Sequence, residues 1–340
     1  MGEFDLIERY FKAPARALRA NDAVESDKIA LGIGDDCALL QPAAGMQLAI
    51  SSDMLVAGRH FFADVDPFTL GHKALAVNLS DLAACGAKPL AFTLALALPQ
   101  ADAAWLAPFS RGLLALAAEH DCALIGGDTT QGPLNICITV FGEVPKQQAL
   151  LRSGAKAGDD IYVSGTLGDA RLALEAMRGN LALSIEAFTA AKTRLETPTP
   201  RVALGMALRG IASSAIDVSD GLLGDLGHIL QQSGVGAVLD TALVVQLLAI
   251  HSIATQAINT PANGQFSLEN KLKHVLSGGD DYELAFTSPA SKRQAVQAAA
   301  TASNTPVTRI GQIEAEPGLR LTDAQGQLVP NNFASFDHFQ

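Results

Sequence analysis

Apolar and polar positions along this chain repeat with two different periods. Residues 28–33, 47–52, 90–98, 123–125 and 134–144 form short apolar runs bounded by Gly, Pro or Asp, a pattern that predicts strands. Between them, residues 67–85 and 101–120 place apolar side chains at helical spacing, with Pro or Asp near each start. Strands interleaved with helices predict an α/β layer packing helices on a sheet. The pattern alone leaves open whether the sheet is parallel or mixed.

Around residues 145–158 the chain turns polar and basic, with Lys146, Arg152 and Lys156, and a new strand at 160–164 opens a second series. A boundary there gives two domains, residues 1–147 and 148–340. In the second, the glycine turn at 165–168 introduces a helix from Asp169, and Pro198 and Pro200 precede another. Residues 215–218 and 222–230 read as strand, loop and helix. Residues 257–267, rich in Asn, Thr, Pro and Gly, read as a surface loop. A strand at 283–287, a helix from Ser291 and strands at 307–313 and 319–322 complete the series.

Composition narrows the function classes. With 24 Lys and Arg against 35 Asp and Glu, the net charge is −11, the wrong sign for a nonspecific nucleic-acid clamp. A chain 49% hydrophobic and 17% charged is not intrinsically disordered. No apolar run reaches the ~20 residues that cross a bilayer, and the start, Met-Gly-Glu-Phe-Asp-Leu, has no basic region or export signal. A cytoplasmic protein is expected. Cys37, Cys85, Cys122 and Cys137 form no Cys-x-x-Cys, and they read as four small buried hydrophobes in a reducing compartment.

Charge is sparse, yet aspartates recur where predicted strands end: Gly34-Asp35-Asp36, Ser51-Ser52-Asp53, Gly126-Gly127-Asp128, Asp217-Val218-Ser219-Asp220 and Gly278-Gly279-Asp280-Asp281. Asp81 adds a carboxylate from within an apolar helix. Each cluster has an ordinary alternative, because Asp after Gly is turn chemistry and Ser219 or Asp220 suits a helix N-cap. Together they predict a shared site at the strand ends, where α/β folds hold ligands. Like charges about 4 Å apart cost roughly 4 kcal/mol at intermediate dielectric, so converging carboxylates require a cation between them. Oxygen donors without a His or Cys cluster favour Mg²⁺, and Mg²⁺ in an acidic protein points to phosphate chemistry. The chain has no P-loop, no protein-kinase signature, no dinucleotide fingerprint and no nucleophile elbow.

The motifs Leu31-Gly32-Ile33-Gly34-Asp35-Asp36, Ser52-Asp53-Met54-Leu55-Val56-Ala57-Gly58-Arg59-His60, Asn78-Leu79-Ser80-Asp81-Leu82, Gly126-Gly127-Asp128-Thr129-Thr130, Asp217-Val218-Ser219-Asp220-Gly221-Leu222 and Ser277-Gly278-Gly279-Asp280-Asp281-Tyr282-Glu283-Leu284 together resemble the thiamine-monophosphate kinase family. The resemblance runs in the family's order over almost the whole chain and extends to the aminoimidazole ribonucleotide synthetase superfamily. It implies an α/β (α+β layered) protein of two domains: an N-terminal mixed sheet with helices on one face that pairs in a homodimer, and a C-terminal α/β sandwich. It also implies ATP-dependent phosphorylation of thiamine monophosphate to thiamine diphosphate with several Mg²⁺ ions.

By the same resemblance Asp36, Ser51, Ser52, Asp53, Asp81, Asp128, Asp217 and Asp220 would ligate metal, with Asp36, Asp81, Asp128 and Asp220 the catalytic acids. Gly127, Asp128, Arg152 and Ser219 would contact ATP, and His60, Asp280 and Phe336 the thiamine phosphate. The family commonly has Glu at the place of Asp280, and Tyr or Trp at the place of Phe336. The rival readings are another ATP-dependent synthetase of the superfamily, or a noncatalytic metal- or nucleotide-binding protein.

Overall fold

The computed structural model describes residues 2–19, 28–249 and 267–333. The predicted loop at 257–266 and Phe336 lie outside the described residues. The chain divides into two compact units, residues 1–82 with 87–149, and residues 83–86 with 150–340.

The first unit opens with α1 (Glu3–Ile7), a π-helical turn (Glu8–Lys12) and α2 (Ala13–Arg19), none of which the strand-and-helix pattern announces. A small antiparallel pair, β1 (Ile29–Leu31) and β2 (Leu39–Leu40), follows. Then come β3 (Met46–Val56), α3 (Pro67–Ala84), β4 (Lys88–Leu98), α4 (Ala103–Glu119), β5 (Ala123–Gln131) and β6 (Asn135–Pro145). The sheet runs β3-β6-β4-β5. Both pairings of β6 are antiparallel, whereas β4 and β5 are parallel, so α4 serves as the crossover that a parallel pair requires. The sheet is therefore mixed.

Capping explains where the helices start. The Asp66 carboxylate accepts the Phe68 N–H at 2.8 Å, with Pro67 in the first helical position, and Asp102 accepts the Ala104 N–H at 2.9 Å. Backbones of α3 and α4 touch through glycine: a Cβ on Gly71 would stand 2.1 Å from the Phe109 carbonyl oxygen, and one on Gly112 1.9 Å from that of Phe68. Leu75, Leu79, Leu82, Phe92, Leu106, Phe109 and Leu113 fill the core beneath.

The second unit contains β7 (Asp159–Ser164), α5 (Asp169–Met177), α6 (Ile185–Glu196), α7 (Val202–Ala207), β8 (Ser214–Val218), α8 (Leu222–Ser233), β9 (Gly236–Asp240) and α9 (Thr241–Val244). It continues with α10 (Leu268–Ser277), β10 (Glu283–Pro289), α11 (Arg293–Ala302), β11 (Val307–Glu314), β12 (Gly318–Thr322) and β13 (Leu328–Val329). Its sheet runs β13-β12-β9-β11-β7-β10-β8, antiparallel except for β9 with β12. Every residue of β7 and β8 is buried, including the polar Asp159, Asp160, Ser164, Ser214 and Asp217 that flank or interrupt their apolar stretches.

The cysteines correct one expectation. Only Cys122 is buried; Cys37 is exposed, Cys85 and Cys137 are half-buried, and none of the four is in a disulfide. Cys37 follows the exposed Asp35–Asp36 turn, so a small apolar residue there marks a loop position and not a core one.

Candidate active site

In the first unit a cleft of about 710 Å³ lies between the N-terminal helical run, the turn at 33–38, the middle of β4 and most of the length of β5, so that Asp128 sits within its strand and not beyond its end. Asp35, Asp36, Gly127, Asp128 and Thr129 line it, together with Glu8 and Lys12, which form an ion pair at 3.1 Å. The fold thus gathers Asp36, Gly127 and Asp128, which are far apart in sequence, while leaving both carboxylates exposed. Gly127 has φ +143°, and its Cα faces the Leu94 backbone on β4 so closely that a Cβ would lie 1.9 Å from the carbonyl oxygen. Only glycine fits, and the following residue is Asp128.

A second group forms where β3 passes α3. The Ser51 hydroxyl donates a short hydrogen bond to the Asp81 carboxylate, and the Asp53 N–H donates to the Asn78 side-chain oxygen at 3.1 Å. Asn78 is buried and its amide is anchored on the Ala74 carbonyl at 3.0 Å. Strand alternation sends Ser52 to the opposite face, where its hydroxyl donates to the Ile138 carbonyl at 3.1 Å. The Ser52 side chain therefore does not join Ser51 and Asp81. His60 folds back just after β3, its Nδ1 accepting the Val56 N–H at 3.0 Å, a bond that fixes the ring's orientation.

In the second unit the acidic loop follows β8. Asp217 is buried at the penultimate position of β8, and Ser219 and Asp220 are half-buried. Both of their N–H groups donate to one oxygen of Asp225, at 3.0 and 3.1 Å. Burial is the main cause that pushes the Asp225 carboxyl up to about 7, the negative Asp220 adds to it, and the two N–H donors and the positive field of Arg152 oppose it. Arg152 itself is exposed. The Asp280 N–H donates to the Ser219 carbonyl at 2.8 Å, which joins the loop at 278–282 to the loop after β8.

The glycine turn at 165–168 is a structural connection. Gly165 and Leu167 donate their N–H groups to the Pro306 and Leu247 carbonyls, and Gly168 donates to the Asp281 carboxylate at 2.8 Å, so these three donors are already committed. Asn78 and Asp281 stand within the sequence motifs but carry no role there, and Asp225 lies outside the motifs altogether. Asp225 did carry a signal, a carboxylate in the first turn of an otherwise apolar helix.

The chain matches two family models, the AIR synthase related protein N-terminal domain over residues 34–144 and the corresponding C-terminal domain over residues 156–324. Among curated proteins it is 46% identical to the thiamine-monophosphate kinase of Escherichia coli O157:H7, covering 99% of this chain and 98% of that one. It is 42% identical to that of Haemophilus influenzae, covering 100% and 98%. The crystal structure of thiamine-monophosphate kinase from Stenotrophomonas maltophilia K279a superposes with a TM-score of 0.82 at 44% identity over 97% of this chain and 98% of that one. A structure of AaThiL complexed with AMPPCP and TMP superposes at 0.72 with 26% identity over 99% and 97%. With identity at this level from end to end, the chain belongs to the thiamine-monophosphate kinase family within the AIR synthase related proteins.

Proposed function

We propose that this protein transfers the γ-phosphoryl group of ATP to thiamine monophosphate, giving thiamine diphosphate and ADP. The observation that carries the reading is the full-length identity to thiamine-monophosphate kinases, in a chain that keeps Asp53 on β3, Asp128 on β5 and Asp217 on β8. A related fold complexed with an ATP analogue and TMP supports the same pair of substrates.

Physical chemistry defines what the residues must do. A phosphate monoester has its second pKa near ~6, so the acceptor oxygen is already mostly ionised at neutral pH and needs no strong general base. The barrier is electrostatic: a dianion must approach a polyanion in line. In this reading His60 and Asp280, with Phe336, hold the thiamine phosphate, while Gly127, Asp128, Arg152 and Ser219 hold ATP. The Arg152 guanidinium, planar and permanently charged, suits phosphate oxygens.

The donor set fits Mg²⁺, because every side chain concerned is a carboxylate or hydroxyl, with no imidazole or thiolate. Among the described residues, neither unit gathers three His, Cys, Asp or Glu side chains into a closed cage. Mg²⁺ needs none, since it takes one or two carboxylates and fills its shell with water and phosphate oxygens. Asp36, Ser51, Asp53, Asp81, Asp128, Asp217 and Asp220 would hold the ions, with Ser52 restricted to its main-chain oxygen. Bound there, Mg²⁺ neutralises charge on the two phosphates.

We also read the protein as a cytoplasmic homodimer. Among the described residues no helix is long and apolar enough to cross a membrane. The edge strand β3 exposes Leu48, Ile50 and Met54 at alternate positions, 41%, 61% and 52% accessible, and an unpartnered apolar stripe on a sheet face suits a second copy. A steady-state assay tests the function: ADP should form only when thiamine monophosphate, ATP and Mg²⁺ are all present. ADP formation with thiamine monophosphate omitted would favour another superfamily synthetase, and no turnover would favour a binding protein.

A further inference from the structure

Two loops of the second unit carry residues assigned to opposite sides of the reaction, and each is fastened by a buried carboxylate to which the mechanism gives no part. Asp281 is fully buried. Its Oδ2 accepts the Gly168 N–H at 2.8 Å, its main-chain oxygen accepts Arg194 Nη2 at 3.2 Å, and its Oδ1 is buried with no partner among the described residues. On either side of it, Asp280 and Tyr282 take left-handed backbone, with φ of 67° and 52°. Such backbone costs a residue bearing a Cβ on the order of 1 kcal/mol or more, and persists only where the surroundings enforce it.

The enforcement is visible. Asp280 N–H donates to the Ser219 carbonyl and Tyr282 N–H to the Val218 carbonyl, both at 2.8 Å. The Tyr282 hydroxyl lies 3.4 Å from Asp280 Oδ1. A Cβ on Gly279 would stand 2.3 Å from the Ser219 carbonyl oxygen, so the two loops pack backbone to backbone. Across that contact Asp225 holds the other loop through the Ser219 and Asp220 N–H groups.

We infer that Asp281 and Asp225 are paired positioning residues, Asp281 setting Asp280 for the thiamine phosphate and Asp225 setting Ser219 and Asp220 for the nucleotide. The inference rests on the phosphotransferase reading above. Neither carboxylate is placed to touch a substrate; each acts through backbone it holds. Each loop has its own carboxylate anchor beside the backbone hydrogen bonds the two share, so releasing one carboxylate weighs more heavily on its own side of the reaction, and the two losses separate in the kinetics. Burial raises the Asp281 carboxyl well above the usual carboxylate range, so the neutral amide of asparagine reproduces both its shape and its acceptor.

The experiment is a two-substrate kinetic analysis of Asp281→Ala, Asp281→Asn and Asp225→Ala, with melting temperatures alongside. Asp281→Ala is expected to raise KM for thiamine monophosphate by about 10-fold or more with KM for ATP within about threefold of wild type, and Asp281→Asn to restore both. Asp225→Ala is expected to show the reverse split. Parallel changes in both constants, or an Asn variant as impaired as Ala, overturn the inference and leave Asp281 a purely structural residue. Should Asp281→Ala fail to fold, Tyr282→Phe removes only the hydroxyl and is expected to raise the thiamine-monophosphate KM by about threefold at unchanged melting temperature; an unchanged KM overturns the inference. Wild-type protein inactive on thiamine monophosphate overturns the activity itself, a result distinct from active wild type with unsplit constants.

Discussion

Gly127→Ala tests the link between backbone geometry and catalysis at the most constrained point of the site. The new methyl carbon would start 1.9 Å from the Leu94 carbonyl oxygen and 2.6 Å from its carbonyl carbon, whereas carbon and carbonyl oxygen meet no closer than about 3.3 Å. Backbone on β4 or β5 must therefore yield by more than ~1 Å. Positive φ costs a residue with a Cβ ~1–3 kcal/mol and overpacking a further ~1–3 kcal/mol, about 2–6 kcal/mol together. For a unit of this size that lowers the melting temperature by roughly 5–20 °C. Asp128 is the next residue, and a misplacement of ~1 Å in a catalytic constellation costs about 100-fold in rate. Coupled ADP release at saturating ATP and Mg²⁺, with calorimetry of the same samples, measures both effects. Turnover within about threefold of wild type, at an unshifted melting temperature, would refute the argument that β4 and β5 hold Asp128 through this contact.

Other substitutions separate charge from packing. Asp81→Asn should reduce turnover by a factor of ~100 or more while the melting temperature holds, because it removes charge from beside the Ser51 hydroxyl without removing volume; near-normal turnover would return Asp81 to a structural role. Glu283 is fully buried and bound by Arg201 at 2.5 and 2.6 Å, Arg194 at 2.6 Å and Ser164 at 2.5 Å. Glu283→Gln leaves two mostly buried guanidinium groups uncompensated and should destabilise the protein by about 3–5 kcal/mol in denaturant titration. A loss below ~1 kcal/mol would show that solvent already screens the cluster. Burial holds the pKa of His120 and of His274 below the ordinary 6.5. The unfolded chain therefore takes up protons that the folded protein refuses, so their contribution is present above pH ~6.5 and is lost as pH falls below it. A His120→Gln, His274→Gln protein should lose less stability than wild type between pH 7.5 and 5.5, and an unchanged slope would contradict this.

Much of the fold was written in local periodicity, because β4 and β6 carry long apolar stretches, β7 and β8 carry short ones at buried positions, and α3 and α4 carry their caps in sequence. The order of strands in each sheet was not, since pairing joins residues such as Ala95 and Asp128 that no local signal connects. The helix α6 escaped notice because its buried face is small, Ala187, Ala191 and Leu195, while Ile185 stands 82% exposed at its start. At the candidate site, the aspartates were legible as motifs, although Asp53 and Asp128 lie within β3 and β5 and not at the predicted strand ends. Their supports were not: Asp281 acts through the N–H of Gly168, 113 residues away, and the opposite faces of Ser51 and Ser52 emerge only once β3 has a sheet to lie in. The glycine turn at 165–168 is legible in sequence only as the opening of a helix; that its N–H groups are committed to Pro306, Leu247 and Asp281 depends on contacts far along the chain.

The central claim is that one phosphoryl group passes directly from ATP to thiamine monophosphate within an acidic, Mg²⁺-requiring site. Rapid quenching of enzyme mixed with γ-³²P-labelled ATP, thiamine monophosphate and Mg²⁺ tests it most directly. The account predicts label in thiamine diphosphate from the first turnover, none covalently on the protein, and none transferred when Mg²⁺ is chelated; labelled protein formed at a competent rate, or no labelled thiamine diphosphate, would contradict it.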